Sequence, residues 1–343
     1  MRNNRLVVIV IVVFAVMLSS FGFYFYQIFF VSNILVNKGD KMFAIEDSTT
    51  FEELQQRIKN EGIVDNLMAF SFVAKIKDYD DNIKPGMYLL EEGMSNLTAI
   101  NKLRAGIQTP VKVTFNSIRR ISELPPRLTF SLQIDSADIA PLLLSDSVAQ
   151  SYGFDSLNFI GMFIPNTYEV YWTIEPVELL DRMKKEYDRF WNDERLQKAD
   201  SIGLTPQEVT ILASIVESET NLGSEKARLA GVYMNRIKRG IPLQADPTLV
   251  FALGKDVRRV INTDKLIDSP FNTYKYKGLP PGPIRMPSIP GIEAVLDYEH
   301  HNYLYFCANA DFSGSHVFAK TLREHNINAA KFQRALNQRR IYR

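Results

Sequence analysis

Two carboxylates, Glu217 and Glu219, stand close together in Ala213-Ser214-Ile215-Val216-Glu217-Ser218-Glu219-Thr220, a segment that is otherwise almost wholly apolar. A helix apolar all round is normally buried, and an unpaired glutamate inside one is rare. Burial raises a carboxyl pKa, and a glutamate still protonated near neutral pH is what a general acid needs. Residues two apart project about 200° apart on a helix, so both cannot face one substrate atom. One is therefore expected to do chemistry. The other is expected to be structural, held by a cation such as Arg228 or Arg236. The alternative is that both are salt-bridged surface residues near a helix C-terminus.

Other signals are weaker taken singly. Asn235-Arg236 is either a polar patch or the solvated face of its helix. Gln244-Ala245-Asp246-Pro247-Thr248 offers side chains to a ligand or only caps a helix. Asn272-Thr273-Tyr274 suits sugar binding through hydrogen bonds and ring stacking, or it stiffens a turn. The four histidines fit no metal spacing, with His300 and His301 adjacent and HExxH absent. Cys307, the single cysteine, can form neither an intrachain disulfide nor a cysteine-based zinc site. Gly-x-Ser-x-Gly, the P-loop and GxGxxG are all missing, so nucleophilic serine hydrolysis and nucleotide chemistry are poorly supported. Lys plus Arg number 40 against 39 Asp plus Glu, a net charge of +1 that supplies no field for holding nucleic acid.

The elements that must position these groups read as an α+β chain. In residues 40–107, a small α+β module, Thr49 or Thr50 caps a first helix with Glu52 and Glu53 in its first turn. A second helix fits 66–76, a strand 86–90, and a third helix follows 93–96. Residues 111–115 alternate like a strand. Residues 108–203 form a connecting region, mostly helical from 118, interrupted at 159–168 by an apolar loop ending in a Pro turn. From 204 to 343 the chain is the most patterned. Thr205-Pro206-Gln207-Glu208 is a capping box with Pro at the first helical position, starting a helix at 206. A second helix covers 224–239 and is closed by Gly240, and Asp246-Pro247 caps a third that runs to 253. Residues 268–291 are too rich in Pro and Gly for a helix or central strand. A hairpin at 303–319 and a basic C-terminal helix complete the pattern.

No charged residue occurs from Leu6 through Asn37. Residues 6–31 as a helix span roughly 39 Å, enough to cross about 30 Å of hydrocarbon. Arg2 and Arg5, in a short tail of residues 1–5, predict a cytoplasmic N-terminus, and Tyr24 and Tyr26 suit the far interface. A cleaved signal peptide is the other reading, since Ser20-Phe21-Gly22 is a small-x-small site. The apolar run continues well past that site, which favours an uncleaved anchor. Either way, residues from about 38 onward are expected outside the cytoplasm.

The block around Glu217 and Glu219 resembles the MltG (YceG-like) endolytic murein transglycosylases. The likeness continues in order through Val232-Tyr233-Met234-Asn235-Arg236, Leu243-Gln244-Ala245-Asp246-Pro247-Thr248, Tyr274 and Gly278-Leu279-Pro280-Pro281-Gly282-Pro283-Ile284. Tyr303-Leu304-Tyr305-Phe306, His316-Val317-Phe318 and His325-Asn326 complete it. The match is dense over about 205–327. The anchor and a LysM-like module at 40–107 fit the family layout, ahead of a mixed helical/β catalytic domain. The chain departs from the family pattern at Asn116-Ser117, often Glu-Gly, and at Pro165-Asn166-Thr167, often Pro-Asp-Thr.

The resemblance implies that Glu217 is the acid/base and that no metal or organic cofactor is required. It also implies that Ser218, Glu219, Asn235, Arg236, Gln244, Asp246, Thr248, Asn272 and Tyr274 bind substrate. The implied substrate is nascent peptidoglycan, cut within its strands at MurNAc–GlcNAc bonds to leave 1,6-anhydroMurNAc ends. The implied location is the cell's inner (plasma) membrane, with peptidoglycan synthases as candidate partners. Two other readings compete: a non-enzymatic peptidoglycan-binding scaffold, and a hydrolase using Glu217 with Glu219 or Asp246.

Overall fold

The structure is a computed structural model that describes residues 2–35, 37–254 and 260–339. Met1 of the expected N-terminal tail, Val36, and residues 255–259 and 340–343 of the expected C-terminal region lie outside the described residues. The chain forms two compact units, Met1–Lys112 with Ser131–Gln133 and Glu169–Ile174, and Val113–Phe130 with Ile134–Tyr168 and Glu175–Arg343.

The first unit opens with α1, Arg2–Phe30. Within it Arg5–Phe30 has a mean hydropathy of 2.9 and is long and apolar enough to cross a membrane. Then come β1 (Lys41–Ile45), α2 (Phe51–Asn60), α3 (Leu67–Ile76), β2 (Gly86–Leu90) and α4 (Asn96–Ala105). α2, α3 and α4 each start where a side chain satisfies free N–H groups. Thr50 and Glu53 form a reciprocal capping box on α2, Asn66 caps α3 and Ser95 caps α4. β1 and β2 pair antiparallel with Phe43 opposite Tyr88, and both side chains are buried among Leu54, Ile58, Phe70 and Ile100. β1 is an addition to the sequence expectation. Its Met42-Phe43-Ala44-Ile45 run has apolar residues on both faces, so the period-two alternation that betrays a strand is missing.

The stretch into the second unit carries β3 (Val111–Phe115), followed by α5 (Pro125–Thr129), α6 (Ser136–Leu143) and α7 (Asp146–Ser151). β4 (Asn166–Val170) pairs with β3. The expected apolar loop is instead a 3-10 turn, Phe159–Met162, leading into this strand. α8 (Pro176–Phe190) and α9 (Asp193–Ile202) then lead to α10 (Pro206–Glu219), whose residues from Val209 to Val216 are all buried. Around α10 pack α11 (Gly223–Lys238), α12 (Asp246–Leu253) and α13 (Ile289–Leu296). The hairpin of β5 (Tyr305–Ala308) and β6 (His316–Ala319) pairs antiparallel, and α14 (Leu322–Gln338) packs on it.

Two expectations need correction here. α13 begins inside the Pro/Gly-rich stretch, with Ser288 as its cap and Pro290 in its first turn, where a missing N–H costs nothing. Asp246 does not cap α12: the cap position is Ala245, with no side-chain cap bond. The Asp246 carboxylate points elsewhere.

Candidate active site

α10 is the pillar of the site. Thr205 and Glu208 close a capping box at its N-terminus. Near its centre the Ser214 hydroxyl donates to the Ile211 carbonyl and accepts from the Ile284 amide, tying the Pro/Gly-rich loop to the helix. The two glutamates leave its last turn in different directions, as their spacing requires.

Glu217 turns toward α13. Its Oε2 accepts from the Ser288 amide at 2.7 Å and the Ser288 hydroxyl at 2.9 Å. Its Oε1 lies 3.6 Å from Nζ of the buried Lys226. A Cβ on Gly291 would fall 2.5 Å from Oε2, so the helix can approach this closely only with glycine there. The carboxylate thus sits at a helix N-terminus with a cation beside it, both of which attract negative charge. The cation is Lys226, not Arg228 or Arg236. Arg228 pairs with Glu299 instead, at 2.9 Å.

Glu219 faces a polar cavity of about 340 Å³ lined by Glu219, Arg236, Leu243, Gln244, Asp246, Tyr274, Tyr305, Phe306, Leu322 and His325. Its Oε1 accepts from the Tyr233 hydroxyl at 2.7 Å. Burial pushes its pKa up to about 7. The Tyr233 hydrogen bond opposes that rise, the nearby Asp246 charge adds to it, and Arg236 pulls it back. Near neutral pH this carboxyl is poised between its two protonation states.

The walls are held by backbone hydrogen bonds. Buried Arg236 donates from Nε to the Leu304 carbonyl at 2.7 Å and from Nη1 to the carbonyls of Pro242 and Leu243 at 3.1 and 2.9 Å. Its guanidinium also reaches Gln244 Oε1 at 3.3 Å and stacks over the Tyr305 ring. Gln244 takes a left-handed φ of 53°, its amide bonded to the Thr273 carbonyl. Tyr274 donates its hydroxyl to Asp246 at 2.5 Å, and that bond together with burial raises the tyrosine pKa, burial being the larger cause.

Of the residues singled out in the sequence, the structure brings Glu219, Arg236, Gln244, Asp246 and Tyr274 to one cavity. The others are spent on internal bonds. Ser218 donates to the Ser214 carbonyl, and Asn235 to the carbonyls of His301 and Tyr303. Thr248 is bonded to Ala245 and Thr273, and Asn272 to the carbonyls of Lys265 and Ile267. Thr248 and Asn272 are fully buried.

His325 and Tyr233 stand in blocks that carry the family likeness, but neither is among the substrate-binding residues it implies. Tyr233 is three residues before Arg236 on α11, a spacing that puts both on one face. His325 carries no such signal. It stacks on Tyr305 with ring centres 5.5 Å apart, and its buried Nδ1 has no partner among the described residues. Burial, then the charge of Arg236, lowers its pKa and keeps the ring neutral. Among the described residues no group of three or more His, Cys, Asp or Glu is arranged to hold a metal.

The sequence model of the YceG-like family matches residues 43–331. Over 359 aligned positions the chain is 28% identical to the endolytic murein transglycosylase of Streptococcus pneumoniae serotype 2, strain D39. That alignment covers 94% of this chain but 64% of the streptococcal protein, so the chain spans somewhat under two thirds of that relative. The endolytic murein transglycosylase of Bacillus subtilis strain 168 is 26% identical over 314 positions, covering 86% of this chain and 85% of that one. A 2.6 Å crystal structure of a YceG-like protein from Listeria monocytogenes aligns with a TM-score of 0.55 at 26% identity, covering 84% of this chain and 98% of that one.

Proposed function

The chain belongs to the YceG-like family, and from that premise we propose that it is a membrane-anchored lytic transglycosylase cutting MurNAc–GlcNAc bonds within peptidoglycan strands. The observation that carries this reading is one carboxyl, Glu219, held near neutral pKa in a polar cavity. The named activity of the streptococcal and bacillar relatives supports it.

We assign the acid/base role to Glu219 rather than to Glu217, which the sequence resemblance implied. Glu217 is tied to Ser288 and Lys226 and does not line the cavity. Glu219 lines it, beside Arg236 and Asp246. It protonates the oxygen linking MurNAc C1 to the next GlcNAc, and the C1–O bond breaks with its electron pair leaving on that oxygen. The MurNAc acetamide meets the charge growing at C1. The Glu219 carboxylate then takes the proton of the MurNAc 6-hydroxyl, whose oxygen bonds to C1. Protons balance and no water is consumed, so one carboxyl suffices where a hydrolase needs two. Gln244, Tyr274 and neutral His325 offer hydrogen-bonding groups to the sugars, and Asp246 holds the proton on Glu219. Ser218, Asn235, Thr248 and Asn272 act on substrate only by holding the walls.

In this reading residues 40–107 are a LysM-like glycan-holding module, residues 108–203 connect, and 204–343 catalyse. α1 crosses the plasma membrane with its N-terminus in the cytoplasm, keeping the cut close to newly made strands. Peptidoglycan synthases are natural neighbours there.

The test is mass spectrometry of glycan strands incubated with the protein. Anhydro ends are expected. Reducing ends would reveal a two-carboxylate hydrolase, and uncut strands a binding scaffold. Glu219→Gln should lower turnover roughly 10²–10⁴-fold. If Glu217→Gln shows that loss while Glu219→Gln cuts normally, the assignment within the pair is reversed.

A further inference from the structure

α3 buries Ala69, Phe70, Val73 and Ala74 in the first unit's core. Its opposite face carries Met68, Phe72 and Ile76 at successive four-residue steps, exposed by 82%, 48% and 50%. On a soluble module such a stripe calls for a partner. No charge occurs from Leu67 through Ala74, and the first charged residue is the exposed Lys75.

The stripe is joined to α1. The Phe29 ring meets Phe72 edge-on at 6.4 Å, and Phe29 itself is buried in the module's core. The two helices are also fixed to each other by a polar knot. Asn96 Nδ2 donates to the Ile28 carbonyl at 2.8 Å, and Asn33 bridges Asn96 Oδ1 and the Asn66 backbone at the start of α3. α3 therefore cannot swing away from the end of α1 without breaking buried hydrogen bonds.

Depth follows from helix geometry. About 20 residues counted from Leu6 fill roughly 30 Å of hydrocarbon, which brings the far edge near Phe25. Phe29 lies four residues on, about 6 Å farther along the axis, at headgroup level. Around it Tyr26 and Phe30 on α1, and Val31 just past its end, are exposed apolar and aromatic side chains.

We infer that α3 is an interfacial helix: Met68, Phe72 and Ile76 dip into the outer boundary of the bilayer that α1 crosses, with Lys75 reaching back to lipid phosphates. The occupant is a lipid surface because the stripe is continuous with a lipid-facing helix at the depth where such helices lie. This rests on reading α1 as an anchor. It adds a second, peripheral membrane contact that fixes the module's tilt on the membrane and leaves it little freedom to swivel on α1.

The experiment uses the full chain with Cys307→Ser in phosphatidylethanolamine–phosphatidylglycerol vesicles, carrying one fluorophore at Met68→Cys, Phe72→Cys or Leu18→Cys. Lipids brominated along the acyl chain quench only labels within the bilayer. Quenching at all three positions is expected, with 68 and 72 responding most to bromine near the headgroup. Quenching at 18 alone leaves the anchor intact and overturns the interfacial helix. Absence of quenching at 18 removes the anchor and this inference with it. Labels at 68 and 72 shielded from aqueous iodide yet untouched by bromolipid would mean a protein covers the stripe, which also overturns it. Met68 is almost fully exposed, so its replacement leaves the fold intact even if Phe72→Cys does not.

Discussion

Glu219 is pulled in both directions at once, and each pull has a named source. Burial raises its pKa most, the Tyr233 hydroxyl lowers it, Asp246 raises it and Arg236 lowers it, for a net value of about 7. A general acid works while protonated, so turnover should fall as pH rises through about 7. Asp246→Asn removes an influence that raises the pKa and should move this alkaline limb to lower pH. Tyr233→Phe removes one that lowers it and should move the limb to higher pH. A limb that neither substitution shifts would assign the titration to another group. Stability carries the same signature. Because the folded pKa lies above the unfolded value of 4.5, the group's contribution is complete below about pH 4.5 and is lost as pH climbs to about 7. Glu219→Gln should therefore melt higher than wild type above pH 7, by up to about 3 kcal/mol, with the gap closing in acid. The spacing of the two carboxylates showed that they diverge, but not what each one meets. Lys226, Tyr233, Asp246 and Ser288 lie 9 to 71 positions from the carboxylate each of them acts on.

At the scale of elements, helix starts with local side-chain signals were legible. Thr50 with Glu53 and Thr205 with Glu208 were readable because both partners of each box lie within one turn. Elements without a local signal were not. β4 follows Pro165 in a run that looks like a turn, and α13 hides its start among prolines. α13 nevertheless matters to the site, since its cap residue Ser288 fixes Glu217 and so the last turn of α10. Ser288→Ala leaves a half-buried carboxylate short of a donor and should cost about 1–3 kcal/mol in denaturant unfolding. Turnover should fall with an unmoved alkaline limb, because Ser288 does not contact Glu219's proton. A shifted limb would mean Glu217 itself titrates in the reaction.

For the molecule as a whole, the near-zero net charge averages a charge-free stretch, Leu6–Asn37, with a balanced remainder. Removing residues 1–31 should release the protein from vesicles yet leave cleavage of short soluble strands close to wild type, while cleavage of strands made at a membrane drops. Equal loss on both substrates would mean α1 supports the fold more than the location, and Phe29's place in the core makes retained folding worth checking by circular dichroism. The cavity also has a history in time. Its first wall comes from Glu219 and its last from Leu322 and His325 on α14. Under the proposed function, a chain that emerges N-terminus first lacks part of this wall until α14 is made, so truncation before Leu322 should abolish cleavage of glycan strands.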